Sequence, residues 1–174
     1  RELEVAPEAI REALDTFDGV GRRFEIKGEV HDVLVLDDYG HHPVEIRTTL
    51  SAASARWNRR LVVLFQPHRY TRTQKLLEEF GRSFYDATVL FVAGIYAASE
   101  EPIEGVDHLL VVQAAERAGA TVHEHADLET LHEAVAREVT AGDVVVGMGA
   151  GSIERFGARL RDHLETHAGE MTHA

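Results

Sequence analysis

The sequence predicts an α/β fold: a three-layer sandwich on a mostly parallel sheet of about six strands, one of them an antiparallel edge strand. Three observations predict it. Short apolar runs at 33–36, 61–65, 88–92, 121–123 and 144–147 do not alternate with polar residues, as strands buried on both faces should not. Each run is followed by a helical repeat or a long connection, which is the rhythm of βα units. The chain has 174 residues, 44% of them hydrophobic, and no cysteine, so one ordinary core is within reach and no disulfide or thiolate metal site supports it.

Taken in order, residues 7–17 read as a helix, with Pro7 in its first turn and Gly19 beyond its end. Residues 23–30 alternate like an edge strand (Phe24, Ile26), and His31-Asp32 turns the chain back into the run at 33–36. A helix is predicted over 44–57, behind Pro43. After the strand at 61–65, Thr71 and Gln74 have the spacing of a capping box, which predicts a helix over 72–84. The strand at 88–92 leads to a helix at 106–118, the strand at 121–123 to a helix at 128–139, and the strand at 144–147 to a helix at 153–164. Residues 167–174 have no periodicity and are expected to be disordered. The chain starts without Met and inside a helical pattern, as a piece of a longer protein would, and the one domain boundary is expected near Gly19–Gly21.

The net charge of −12 argues against a nucleic-acid binder. No apolar run approaches the roughly 20 residues of a membrane span, and the charged first residues do not form a secretory signal. The charge is uneven. Residues 22–72 hold 9 basic and 6 acidic groups, net +3, and residues 73–174 hold 7 basic and 18 acidic, net −11. Of the basic residues 16 are arginine, whose planar fork of donors suits phosphate and carboxylate, so the basic island would focus anions.

In a parallel α/β sheet, ligands bind outside the carboxyl ends of the strands. The run at 33–36 leads there into Asp37-Asp-Tyr-Gly-His-His-Pro43, where an acidic residue can accept from ribose hydroxyls and a histidine can read a carboxylate or phosphate; the alternative is a helix cap with exposed histidines. The run at 61–65 leads into Gln66-Pro-His-Arg-Tyr-Thr-Arg-Thr73, in which Arg69 and Arg72 flank a predicted helix start as an anion site would; the alternative is an exposed basic turn. Gly147-Met-Gly-Ala-Gly151 resembles a dinucleotide fingerprint, but Ser152 stands at the third glycine, and a tight turn with Ser152 as N-cap explains it better. His123 and His125 lack a third metal ligand, and there is neither a Walker A sequence nor a nucleophile elbow.

Five segments together resemble the Mur ligases in order and spacing: Arg22-Arg-Phe-Glu25, Asp37 to Pro43, Gln66 to Thr73, Ile95-Tyr-Ala-Ala98 and Gly149-Ala-Gly151. The similarity covers about residues 5–165. It implies that residues 20–166 form the Rossmann-like carboxyl-terminal domain of a three-domain cytoplasmic ligase. Residues 1–19 would then end the central ATPase domain or link to it. The reaction implied joins L-alanine to UDP-N-acetylmuramate in peptidoglycan precursor synthesis. ATP activates the muramoyl carboxylate as an acyl phosphate, and ATP and Mg2+ are held mainly by the central domain. By position, Arg23 and Asp38 match residues that meet ATP. Tyr39, His41 and His68 match substrate-binding residues, and Arg69 and Arg72 match those that bind the amino-acid carboxylate and transition-state charge. The alternatives are a ligase that recycles murein tripeptide and a stand-alone anion-binding module. The resemblance implies partners in the amino-terminal and central domains and an inactive isolated fragment. Two positions in the loop that carries Tyr96 depart from the family pattern: Gly94 stands where an aspartate is expected and Ser99 where a glycine is expected.

Overall fold

The computed structural model describes residues 5–16 and 20–167. A six-stranded sheet in the order β1-β2-β6-β3-β4-β5 forms its centre. Strands β2 (Val33–Asp38), β3 (Leu61–Phe65), β4 (Val89–Val92), β5 (Val122–Glu124) and β6 (Val144–Met148) run parallel, and β1 (Glu25–Val30) pairs antiparallel with β2 at the edge. The predicted fold class holds. Of the predicted tail, only His167 lies within the described residues, as does only part of the boundary near Gly19.

The hairpin between β1 and β2 turns through His31 and Asp32, both with left-handed φ (50° and 62°), the geometry that matches the twist of paired strands. Upstream, Arg22 and Phe24 also have left-handed φ (59° and 53°), so β1 starts at Glu25 and not at the expected residue 23. Every residue of β2, β3, β4 and β6 is buried, which accounts for their unbroken apolar composition.

Helices cover both faces. On one, α2 (Pro43–Trp57), α4 (Leu77–Gly81) and α5 (Leu109–Arg117) pack Ile46, Leu50, Phe80 and Val111 onto Leu36, Val63, Phe65 and Val146. On the other, α6 (Leu131–Glu138) and α7 (Phe156–Thr166) pack Leu131, Val135, Phe156 and Leu160 onto Val35, Leu64 and Val145. Helix α1 (Pro7–Asp15) stands apart, with each of its described side chains exposed.

Several helix starts differ from expectation: α5 and α6 begin at Leu109 and Leu131, three residues later than predicted, and two more differ in kind. The helix predicted over 72–84 is two short ones, α3 (Tyr70–Lys75) and α4, separated at Leu76, whose φ of −112° and ψ of 22° leave the helical region. It begins at Tyr70 behind Arg69, and no capping box forms at Thr71, because the Thr71 hydroxyl donates to Glu100 (2.7 Å). Ser152 does not act as an N-cap. It opens a 3-10 turn (Ser152–Arg155) before α7, and its hydroxyl accepts from Gln66 Nε2 at 3.2 Å.

The register aligns the strand ends. Asp38 and Phe65 both pair with Met148, and Val92 pairs with Phe65. The segments after β2, β3, β4 and β6 therefore leave the sheet at one edge.

Candidate active site

At the end of β2, the two aspartates are turned inward. Asp38 is 6% exposed and its carboxylate accepts from the backbone N–H of Phe24 (2.8 Å) and of Gly40 (2.7 Å). It ties the turn before β1 to the loop after β2. Asp37 accepts from Arg22 Nε at 3.0 Å; burial pushes its carboxyl up from the usual range, and the Arg22 guanidinium pulls it down only in part. Arg22 also donates to the Gly149 carbonyl (2.6 Å), so one guanidinium joins the ends of β2 and β6.

Above this base lies a row of rings. Tyr39 meets His41 edge-on (centroids 5.2 Å apart), His41 meets His68 (5.3 Å), and His68 stacks on Tyr96 (5.6 Å). The guanidinium groups of Arg22 and Arg23 lie 5.3 and 5.6 Å from the centre of the Tyr39 ring, within cation–π reach. Arg23 is exposed at that end of the row. The His41 ring is oriented by its Nδ1, 3.0 Å from the Tyr39 carbonyl, which makes Nδ1 the donor. His42, next along, has a different task. Its ring accepts from the Val44 N–H, and with Glu45 it forms the capping box of α2.

The far end of the row is basic. Arg72 donates from Nη1 to His68 Nδ1 at 2.9 Å and to the His68 carbonyl at 3.4 Å. An arginine cannot accept, so His68 Nδ1 carries the lone pair and, in the neutral ring, Nε2 carries the proton. Burial holds the His68 pKa below the usual histidine value, and the charges of Arg72, His41 and Arg69 add to the effect. Arg69 precedes α3 with φ of 73°, its guanidinium half exposed and 3.8 Å from the Glu100 carboxylate.

Gln66 holds the strand ends together from below. It is 3% exposed, donates to the Gly94 carbonyl (3.4 Å) and the Ser152 hydroxyl (3.2 Å), and accepts from the Ile153 N–H (3.1 Å). The glycine-rich turn packs against it. A Cβ at Gly151 would lie 2.5 Å from Tyr96 Cγ and 2.7 Å from Gln66 Oε1, so this glycine admits a close approach of chain to chain. That is the tight-turn reading, with Tyr96 and Gln66 packed directly against the glycine.

The structure thus gathers Arg23, Tyr39, His41, His68 and Arg72 along one row, sets Asp38 beneath it, and leaves Arg69 beside Glu100. Tyr96 joins the row through a parallel bridge with His68 despite the substitutions at Gly94 and Ser99. His123 stacks on Phe91 and His125 lies near Thr130, away from the row. Among the described residues, no three His, Asp or Glu side chains are grouped to hold a metal ion. Sequence reasoning missed Glu100 and Gln66. The signal for Gln66 was a polar residue ending a buried strand; for Glu100 there was only an acidic residue beside an atypical serine.

The family described as "Mur ligase, glutamate ligase domain" matches residues 22–151. A UDP-N-acetylmuramate–L-alanine ligase from Geotalea daltonii is 46% identical over 171 residues, covering 94% of this chain and 36% of the relative. The chain thus spans about a third of the length of the curated relatives it matches. Among solved structures, UDP-N-acetylmuramate-alanine ligase from Thermotoga maritima superposes with a TM-score of 0.74 at 27% identity, over 89% of this chain and 32% of that one. A murein peptide ligase from Psychrobacter arcticus gives 0.69 at 26% identity, over 94% and 33%.

Proposed function

The chain belongs to the Mur ligase family, and from that premise we propose that it is the carboxyl-terminal domain of the cytoplasmic ligase that joins L-alanine to UDP-N-acetylmuramate in peptidoglycan precursor synthesis. The observation that carries the reading is the ring row from Tyr39 to Tyr96, with arginines at both ends, at the edge where the parallel strands end.

When bound, ATP would supply a phosphoryl group to the muramoyl carboxylate with loss of ADP, and the amine of L-alanine would displace phosphate from that acyl phosphate to form the amide. The residues of this chain fit the anionic side of that chemistry. Arg23, exposed over Tyr39, can meet a nucleotide phosphate or ring. Asp38 acts on ATP indirectly: its carboxylate is engaged by two backbone N–H groups and fixes the loops that carry Arg23 and Tyr39. No residue here is assigned to Mg2+, which in this reading is held with the triphosphate by the central domain. Arg69 and Arg72 place fixed positive charge where the amino-acid carboxylate and the developing oxyanion meet, and such preorganised charge acts strongest once closure against the other domains has excluded water. His68, held neutral with its proton on Nε2, donates a hydrogen bond to the substrate. His41 and Tyr39 wall the same subsite.

The test uses the complete protein that carries this chain, given UDP-N-acetylmuramate, ATP and either L-alanine or the murein tripeptide, with phosphate release as readout. L-alanine should be the preferred acceptor. A preference for tripeptide identifies a recycling ligase, and no release with either identifies an anion-binding module. Arg69→Ala and Arg72→Ala should each lower kcat/KM on the order of 10²-fold with the melting temperature little changed. Rates near wild type would return both arginines to the role of an exposed basic turn.

A further inference from the structure

We propose that Glu100 is a positioning residue for this site: its carboxylate clasps Thr71 and thereby fixes the left-handed backbone at Arg69 that aims Arg69 and Arg72. The proposal rests on the ligase reading above.

The geometry has two strained turns meeting face to face. Arg69 has φ of 73° and ψ of 138°, a conformation that side chains other than glycine hold only when their surroundings impose it. Its N–H donates to the Tyr96 carbonyl at 2.8 Å, and its carbonyl accepts from the Thr73 N–H (3.1 Å) and hydroxyl (2.8 Å). These contacts hold residue 69 on both sides. The next residues are held by Glu100, which takes the Thr71 N–H on one oxygen (3.0 Å) and the Thr71 hydroxyl on the other (2.7 Å). Across from them, Ala98 and Ser99 are also left-handed, with φ of 49° and 69°. That double turn brings Glu100 round to α3. Strain is thus spent on both loops to make one contact.

Glu100 is well suited to the task. Its bonds to the Thr71 hydroxyl and N–H hold its pKa below the usual carboxylate range, so it is ionised at neutral pH. At 3.8 Å it also restrains the Arg69 guanidinium without closing a tight ion pair, which leaves donors free for a substrate anion. A competing account is that Glu100 merely fills, in the empty site, the place of a substrate carboxylate. The two accounts predict opposite effects of removing it.

In the complete ligase, Glu100→Ala should lower kcat/KM for L-alanine on the order of 10-fold while KM for ATP stays within about twofold and the melting temperature within a few degrees. Glu100→Gln keeps a carbonyl oxygen for Thr71 and should recover to within about threefold of wild type. Thr71→Val should match Glu100→Ala, and the double variant should be no worse than either single one, as coupled partners behave. Hydrogen exchange at residues 69–72 should quicken in Glu100→Ala. A lowered KM for L-alanine would make Glu100 a competitor and overturn the proposal. So would unchanged kinetics, unchanged exchange, or a loss that tracks the melting temperature in all variants. If wild-type enzyme itself ignores L-alanine, the ligase reading fails, and exchange at residues 69–72 still decides whether the clasp exists.

Discussion

A single arginine–imidazole contact sets the chemistry of the basic turn. Arg72 donates to His68 Nδ1, which fixes the tautomer, and its charge opposes protonation of the ring. Replacing Arg72 with methionine should therefore raise the His68 pKa toward the ordinary value without restoring it, since burial is the larger cause; an NMR titration of the imidazole resonances reads this directly. A pKa that does not move would mean that Arg72 does not touch His68 in solution. The same lowering has a stability consequence. The folded state keeps His68, and His132 in α6, whose pKa burial also lowers, neutral where the unfolded chain binds protons, so their contribution is fully present above the unfolded histidine value of about 6.5 and is lost as pH falls from there toward the folded values. Denaturant melts across that range should show stability falling with acid, and less steeply in His132→Gln.

The elements explain which parts of the site were legible in the sequence. Strands buried on both faces announce themselves as unbroken apolar runs, so β3 was placed with both its ends correct, and the residues just beyond β2 and β3 could be named as site candidates from topology alone. The start of α3 could not be read. Thr71 and Gln74 have the spacing of a capping box, but Glu100, 29 residues away in sequence, takes the Thr71 hydroxyl, and local rules give way to tertiary contacts. His42 was equally hidden: Glu45 stands at capping-box spacing from it, but histidine is not among the residue types that mark an N-cap. At Ser99 the departure from the expected glycine has a physical cost: a left-handed φ of 69° disfavours a Cβ. Ser99→Gly should stabilise the protein by about 0.5–1 kcal/mol, the relief of strain being partly offset by the freer unfolded chain. Denaturant unfolding checks it, and a destabilised variant would show that the serine hydroxyl supports the loop.

At the scale of the molecule, the sheet and its two helical layers form a unit to which α1 adds nothing among the described contacts of its exposed side chains. We predict that removing residues 1–19 leaves a single cooperative melt with a midpoint within about 2 °C of the intact chain, as expected for a change well under 1 kcal/mol in a domain of this size. A broad or strongly lowered transition would place the domain boundary elsewhere. The formal charge of −12 is a poor guide to such a molecule, because the fold collects Arg22, Arg23, Arg69 and Arg72 at one edge. The order of the strands carries one more consequence. β6, the last strand among the described residues, lies between β2 and β3, which do not pair with each other. A ribosome therefore delivers this central strand only after β1 to β5 have emerged. Until it does, β2 and β3 have no shared neighbour, and their apolar edges stay open to wrong partners. Closing β6 between them requires contacts more than 100 residues apart, such as Leu34 with Val144, which slows folding relative to locally wired domains of the same length.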